Sequence, residues 1–535
     1  GQNLNDTHVI FHDFDKIQGN SALRGGVGAG INVDFYISFG NNITGNTATT
    51  SGGLISGENI GVIVDSVDYI TNNVAQTAGG LIFADNVDYD TLKNVTIMNV
   101  KSLHNNRAEQ FDSTGGVVSV TSASVHFDNI ETITNQFAYQ GGVISAIANT
   151  HDTHFVTFKK TSLIAHNRVD HPDVAGGVIY TVATDVDFSE VNGPMYNNSA
   201  HNGDGAIIGV ESANILIHDC IGDIYDNFAF SGSIFAVLGS GFSGIMTDIR
   251  GNIYDNTGFF NGGILACSGI NPYCELSNFV GNITGTECGS GCVIHSSGAA
   301  VMQNIIGDMT DNHAHFEGGL IFGSTITVNN IDGSLSNNFA EQESGGLFYS
   351  NSAPGTISVS SVREMDSNFA KTHGGIAFSG TGSVTIDRCC IISNNIAEDG
   401  NGGVAFGEGS VAITFSTLLN NSPNNVFSNS STATVDTSFS DLSGSASLIS
   451  FNGENYVAQA SPANGSGGYT YLWDNGDTTQ ISENINTSIT SVIITDDSYC
   501  RVSDTVEVPD PVADAGISQL VCPDATIVLG GSPAG

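Results

Sequence analysis

Cations are scarce in this chain: 13 Lys and Arg stand against 54 Asp and Glu in 535 residues, a formal charge of −41. So few positive groups leave little to neutralise phosphates, which argues against a nucleic-acid partner. The surplus acid keeps the surface solvated and dispersed. Long apolar runs are also missing. None approaches the roughly 18 consecutive residues of a membrane-spanning helix, so no transmembrane segment is expected. The sequence does not open on a basic, apolar leader, and its start, Gly1-Gln2-Asn3, fits the expectation of a chain after signal removal. Proline (10 residues) and tryptophan (Trp473 alone) are rare. Abundant Gly, Asn, Ser and Thr could signal disorder, but an apolar fraction of 40% with recurrent Ile and Val demands a packed core.

What the sequence does contain is a repeat. An apolar residue, two variable residues, Asn, one variable residue and Ala are followed by Gly-Gly and two apolar residues, as in Ile70 to Ala75 with Gly79-Gly80-Leu81-Ile82. Aligning the Asn gives Asn20, Asn46, Asn73, Asn106, Gln136, Asn167, Asn198, Asn227, Asn256, Thr286, Asn312, Asn338, Asn368, Asn395 and Asn421, spaced 26 to 33 residues apart. The segments between are short, β-branched and punctuated by Gly and Asn, which excludes a helical solenoid; the Leu-x-x-Leu-x-Leu frame of leucine-rich repeats is absent too. About three short strands per repeat remain. Joined by bends, they make one coil of a parallel β-helix, here about 15 coils and roughly 70 Å long at about 4.8 Å per coil. Stacked at that spacing, the Asn column predicts an internal hydrogen-bonded ladder at one corner, with the small Ala inside the bend and the Gly pair opening the next strand. Thirteen copies of one residue point to structure, since one active site needs one constellation.

The elements Gly141-Gly142-Val143-Ile144, Gly176-Gly177-Val178-Ile179 and Ile43-x-x-Asn46 resemble the repeats of chlamydial polymorphic outer-membrane proteins. The resemblance covers roughly residues 10 to 425 and implies a right-handed β-helical adhesin. Members of that family end in a membrane barrel. No barrel-like stretch follows here, so a different route of secretion or attachment is expected.

After Asn421 the pattern fails: Pro423 replaces the Ala, and the last coil is expected to close between Asn424 and Ser450. Tyr456 to Ala458, Tyr469 to Trp473, Ser491 to Thr495 and Thr505 to Val508 alternate like strands of a small antiparallel sandwich with Trp473 in its core. Gly467 to Gln480 and Val492 to Cys500 resemble the repeat of SprB-type gliding-motility adhesins. That resemblance implies an Ig-like sandwich on an extracellular bacterial cell-surface protein exported by the type IX route. The expected domains are thus 1–450 (β-helix), 451–510 (sandwich) and 511–535, the start of a further Ig-like module or an assembly strand. Strand-like Gln519 to Val521 and Thr526 to Leu529 are too few to bury a core, and donation to a neighbouring copy would build a fibre.

Catalytic signals are weak. The Asn-Thr-Asp, Asp-Asp, Gly-His-Gly and Arg-Ile-Lys elements of pectin-type hydrolases do not occur in the repeat region, and Arg250 and Arg388, which could serve a lyase, each stand alone in sequence. His151, His154, His166 and His171 cluster in one long repeat without regular ligand spacing, so no metal and no cofactor are expected. Asp226, Asp255 and Asp311 precede the ladder Asn and could line an acidic stripe. The nine cysteines include close groups, Cys267 with Cys274, Cys288 with Cys292, and Cys389 with Cys390, read as candidate local disulfides in an oxidising compartment; Cys220, Cys500 and Cys522 stand apart. These features favour a non-catalytic surface protein, an adhesin or filament subunit, binding a glycan or other cell-surface ligand. A polysaccharide lyase or hydrolase is the rival. Longer repeats around Asn106, Asn167 and Asn198 would place loops on the binding face.

Overall fold

The computed structural model describes residues 7–86, 93–148, 154–170, 176–350, 352–353, 355–428, 433–436, 442–451, 455–485 and 487–509, with backbone alone at 512–513 and 533–534. It contains strands and no helix among these residues. Turns of the first region have three strands, or four where the long strand is broken in two, as at Ile215–Ile221 and Ile224–Tyr225. A typical turn runs through a long strand, Asn94–His104, a two-residue strand, Arg107–Ala108, and a third, Val118–Thr121. Every one pairs in parallel with its equivalents one turn before and after. The two-residue strands form a column 14 strands deep, so the chain builds a parallel β-solenoid of about 14 turns. The repeat at Asn421 adds only a bridge from Ser422 to Ile396. Its next residue, Pro423, has no N–H to continue the ladder.

Burial follows the pleat. In Asn94–His104 the inward residues are Val95, Ile97, Val100 and Leu103. The switch from a spacing of two to three coincides with Asn99, whose φ of 55° bends the strand. One continuous core from Ile17 to Ile413 results. Like stacks on like: Phe127, Phe158 and Phe188 lie 5.6 and 4.9 Å apart, ring on ring.

Between its end rungs, Asn20 and Asn421, the Asn column is buried and rich in hydrogen bonds. Asn73 donates from Nδ2 to Asn106 Oδ1 (2.9 Å) and to the Ile43 carbonyl of the preceding turn (3.2 Å). Its own Oδ1 accepts from the backbone N–H (3.1 Å) and Nδ2 (2.9 Å) of Asn46. Both amide protons and both lone pairs are thus used, which offsets the cost of burying the group. Side-chain links run from Asn20 to Asn106, from Asn167 through Asn198 and Asn227 to Asn256, and from Asn312 through Asn338, Asn368 and Asn395 to Asn421. Gln136 accepts from Asn106 but turns its own Nε2 to the Thr134 carbonyl. At Thr286 the chain of amides stops, and the buried Thr286 hydroxyl has no hydrogen-bond partner among the described residues.

The two glycines of the repeat have different jobs. The first, such as Gly79 (φ 58°), holds the left-handed conformation. The second has no room for a side chain: a Cβ on Gly116 would lie 2.1 Å from the Gly142 carbonyl oxygen, and one on Gly346 the same distance from that of Gly375. Ala206, Ser233 and Cys292 occupy this second position in three central turns. In that region the short strands lengthen, as Ser199–Asp204, Phe228–Ser231, Thr257–Asn261 and Glu287–Ser290, and their pairing shifts register. The middle of the rod is therefore built differently from its ends.

The second region comprises two three-stranded antiparallel sheets: Ser443–Phe451, Tyr456–Ala463 and Ile481–Ile485; and Thr470–Trp473, Ile489–Thr495 and Arg501–Glu507. Ser443–Phe451 pairs with Tyr456–Ala463, so the boundary lies before Ser443 rather than after residue 450. Buried Trp473 donates from its indole N–H to the Thr479 carbonyl at 2.9 Å and packs with Ala458, Ile485 and Val492. Buried Asp496 accepts backbone N–H bonds from Ser466, Ser498 and Cys500, a turn-fixing role rather than a catalytic one. Val512–Ala513 pairs with Pro533–Ala534; the strand-like stretches at 519–521 and 526–529 lie outside the described residues.

The interrupted ladder makes a prediction. Thr286→Asn restores a rung and should raise unfolding stability by about 1 kcal/mol, whereas Asn227→Ala should lower it by about 2 kcal/mol or more. Denaturant midpoints of the two variants check this, and a midpoint lowered by Thr286→Asn would contradict it.

Candidate functional site

The central turns bring functional side chains into columns. Ile221, Arg250, Val280 and Ile306 occupy successive rungs in register, each one residue after a buried Cys220, Ile249, Phe279 or Ile305. All four are exposed. Asp219, Asp248, Asn278 and Asn304 form a parallel column on the other side of those buried residues, each with φ between 51° and 56°. The two columns line an open groove of about 470 Å³. Arg250 makes no ion pair within 4 Å among the described residues, so its guanidinium is available to a ligand. It lies five turns from Arg388, about 24 Å along the rod, which instead bonds its neighbour Asp387 at 2.9 Å. The two arginines named as lyase candidates are therefore not brought together.

The groove's column continues into Asp332, the next rung after Ile306. There the second region meets the rod: Arg501 contacts Asp332 at 2.6 Å, while Arg363 reaches Asp332 (3.4 Å) and Asp308 (3.0 Å). A disulfide between Cys390 and Cys500, 110 residues apart, joins the same surfaces. A second groove, of about 580 Å³, lies near the start of the rod and includes Arg24, Thr50, Phe83, Glu58 and Asp85. Glu58 and Asp85 are register partners on adjacent strands, and Arg24 lies 3.9 Å from Glu58.

Cysteine pairing differs in part from the sequence expectation. Cys288 and Cys292 are bonded. Cys267 and Cys274 remain buried thiols side by side, and burial together with the neighbouring Cys267 pushes the Cys274 thiol up. Cys389 and Cys390 do not pair with each other, because Cys389 faces the core and Cys390 faces outward to Cys500. Burial pushes the thiols of Cys220 and Cys389 up to about 12, so both are inert structural groups. Cys522 lies outside the described residues.

Other candidates also find their places. Asp226, Asp255 and Asp311 have φ of 53°, 52° and 57°, at a position held elsewhere by Asn72, Asn105, Asn197, Asn337 and Asn394. Their stripe follows from a corner that must be left-handed, for which Asp and Asn are the tolerant side chains. His166 bonds Asn197 at 2.9 Å and His154 is buried; His151 and His171 lie outside the described residues, as do 87–92, 149–153 and 171–175 of the longer repeats. Tyr180 and Tyr273 donate to Glu211 (2.8 Å) and Glu275 (2.5 Å), and burial, followed by these carboxylates, pushes both phenols up, which keeps them protonated and unsuited as bases. A cluster that the sequence did not disclose is His313, His315 and Glu341, whose ligating atoms all lie within 4.8 Å of one another. His315 and Glu341 are 26 residues apart and meet because each follows a paired Ala, Ala314 and Ala340. Aligning whole repeats, rather than searching short motifs, would have found it.

Comparison with known proteins adds no assignment: no family model, no curated protein and no solved structure matches the chain.

Two outcomes can be tested here. His295 is buried and stacked 4.5 Å from Phe322, and burial pushes its imidazole down to about 4 from an ordinary 6.5. Below about pH 6.5 the unfolded chain gains a proton that the folded chain refuses, so stability falls until about pH 4. His295→Phe should remove on the order of 3 kcal/mol of that loss, read as a flatter stability curve between pH 6.5 and 4 than in the parent chain. Separately, Cys500→Ser should release the second region from the rod's flank, seen as increased dimensions in small-angle scattering; unchanged dimensions would show that the Arg501–Asp332 contact suffices.

Proposed function

We propose that this chain is a non-catalytic extracellular adhesin of a bacterial surface, and that its central groove binds an extended neutral glycan. The supporting observation is the in-register pair of columns: apolar Ile221, Val280 and Ile306 with Arg250 on one side, and Asp219, Asp248, Asn278 and Asn304 on the other. Apolar side chains cover the C–H faces of sugars, while carboxylates and amides bond their hydroxyls. A rung repeat of about 4.8 Å is comparable to the length of one sugar unit, so one contact pattern recurs along a chain. A charge of −41 repels polyanions, which favours a neutral glycan over an acidic one. Two disulfides suit an oxidising compartment. The β-helical and SprB-type resemblances carry the proposed cell-surface location and type IX export, and a fibre of copies belongs to the same reading.

Glu58, Asp85 and Arg24 favour a second reading, glycoside hydrolysis, because paired carboxylates are the machinery of that reaction. Screening the purified chain against neutral glycans separates the two. The adhesin reading expects binding without product release, weakened at least about tenfold by combining Ile221→Asp with Val280→Asp. Absence of binding across the panel, or binding indifferent to those changes, would sink it. Reducing ends that appear with the parent chain and vanish with Glu58→Gln or Asp85→Asn would establish the hydrolase.

A further inference from the structure

A different face of the rod, the column of two-residue strands, carries a set of side chains that the groove does not use. In His313–Ala314 the alanine is fully buried, so the flanking His313 and His315 both point outward. Glu341 follows Ala340 in the next turn and faces them. His315 Nδ1 and His313 Nε2 lie 3.0 and 3.3 Å from the same oxygen, Glu341 Oε2. All three side chains are between a third and about half exposed, so an ion can enter from solvent.

We propose that His313, His315 and Glu341 form a binding site for a first-row transition dication of the Zn²⁺ type. Two imidazole nitrogens and a carboxylate oxygen are the donors that such ions prefer, whereas Ca²⁺ and Mg²⁺ take oxygen donors. With metal–donor bonds of about 2.0–2.1 Å, neighbouring donors around a tetrahedral ion sit about 3.3 Å apart. The two edges that meet at Glu341, 3.0 and 3.3 Å, already have that scale. Closing the third requires side-chain rotation and a lone pair, rather than an N–H, on each ligating imidazole nitrogen.

The backbone beneath is held in place. His313, His315 and Glu341 donate their N–H groups to Thr286, Cys288 and Ala314 at 2.9 Å each. The Asn312–Asn338 rung fixes the adjoining corner, and the Cys288–Cys292 disulfide closes the turn below. Glu287 is the register partner of His313 one turn earlier and is exposed on the same face, so rotation of its side chain would be needed for it to serve as a fourth donor. Remaining positions face solvent, so a donor from outside the chain can complete the shell.

The test uses the full chain after treatment with a chelator. Zn²⁺ titrated by calorimetry at physiological salt should show one equivalent tighter than the diffuse binding by surface acids. His313→Ala and His315→Ala should each weaken it at least about tenfold, the double variant should abolish it, and Glu341→Gln should weaken it. Co²⁺ absorption or Cu²⁺ resonance should report nitrogen ligation in the parent and none in the double variant. Thermal melting in chelator should be equal for all, because the replaced side chains are exposed, and Zn²⁺ should raise the midpoint of the parent alone. Equal Zn²⁺ affinity in parent and double variant, or a metal spectrum without nitrogen ligation, would overturn the proposal.

Discussion

Everything in the rod depends on vertical registry, the requirement that each buried polar group find its partner one strand spacing above or below. Within its own turn a corner amide such as that of Asn73 or Asn227 finds only the carbonyl two residues before it, which leaves its oxygen and a second N–H to the neighbouring turns. Its neighbours supply the partner, and it supplies theirs. The left-handed residue before each ladder Asn, the Cβ-free glycine facing the next glycine carbonyl and the stacking of Phe on Phe are consequences of that single demand. Once registry holds, any outward residue repeated at one position becomes a straight column, and surface chemistry is organised without a pocket having to be folded.

Departures from the repeat gather in the middle. Where Ala206, Ser233 and Cys292 intrude on a position that elsewhere excludes a Cβ, the short strands lengthen and shift register. The amide ladder stops at Thr286, and a disulfide lies two residues further on. Phe230, Phe259 and Phe260 are exposed nearby. The groove runs through the same turns on another face. Regular ends and an irregular middle are the arrangement expected when a stiff frame carries a modified segment for recognition.

The fold was legible because its constraint repeats: Asn at one position and Gly-Gly a few residues on expose the period, and β-branched segments between them exclude helices. The corner residue before the ladder Asn was not recognised, since Asn, Asp, Gly, Ser and His share only a tolerance of positive φ and have no common chemistry. Disulfides were half legible. Cys288 and Cys292 are close in sequence and in space, but Cys390 finds Cys500 only through docking, which no local spacing encodes. Likewise His315 and Glu341 meet through register, and the meaning of each appears only when whole turns are laid over one another.

The bond between Cys390 and Cys500 also decides where a pull would be felt. Tension applied through the chain beyond residue 500 enters the rod sideways at Cys390 and bypasses everything from residue 391 to 499. The last turns are then shielded from being peeled off one rung at a time, the weak mode of any stacked ladder.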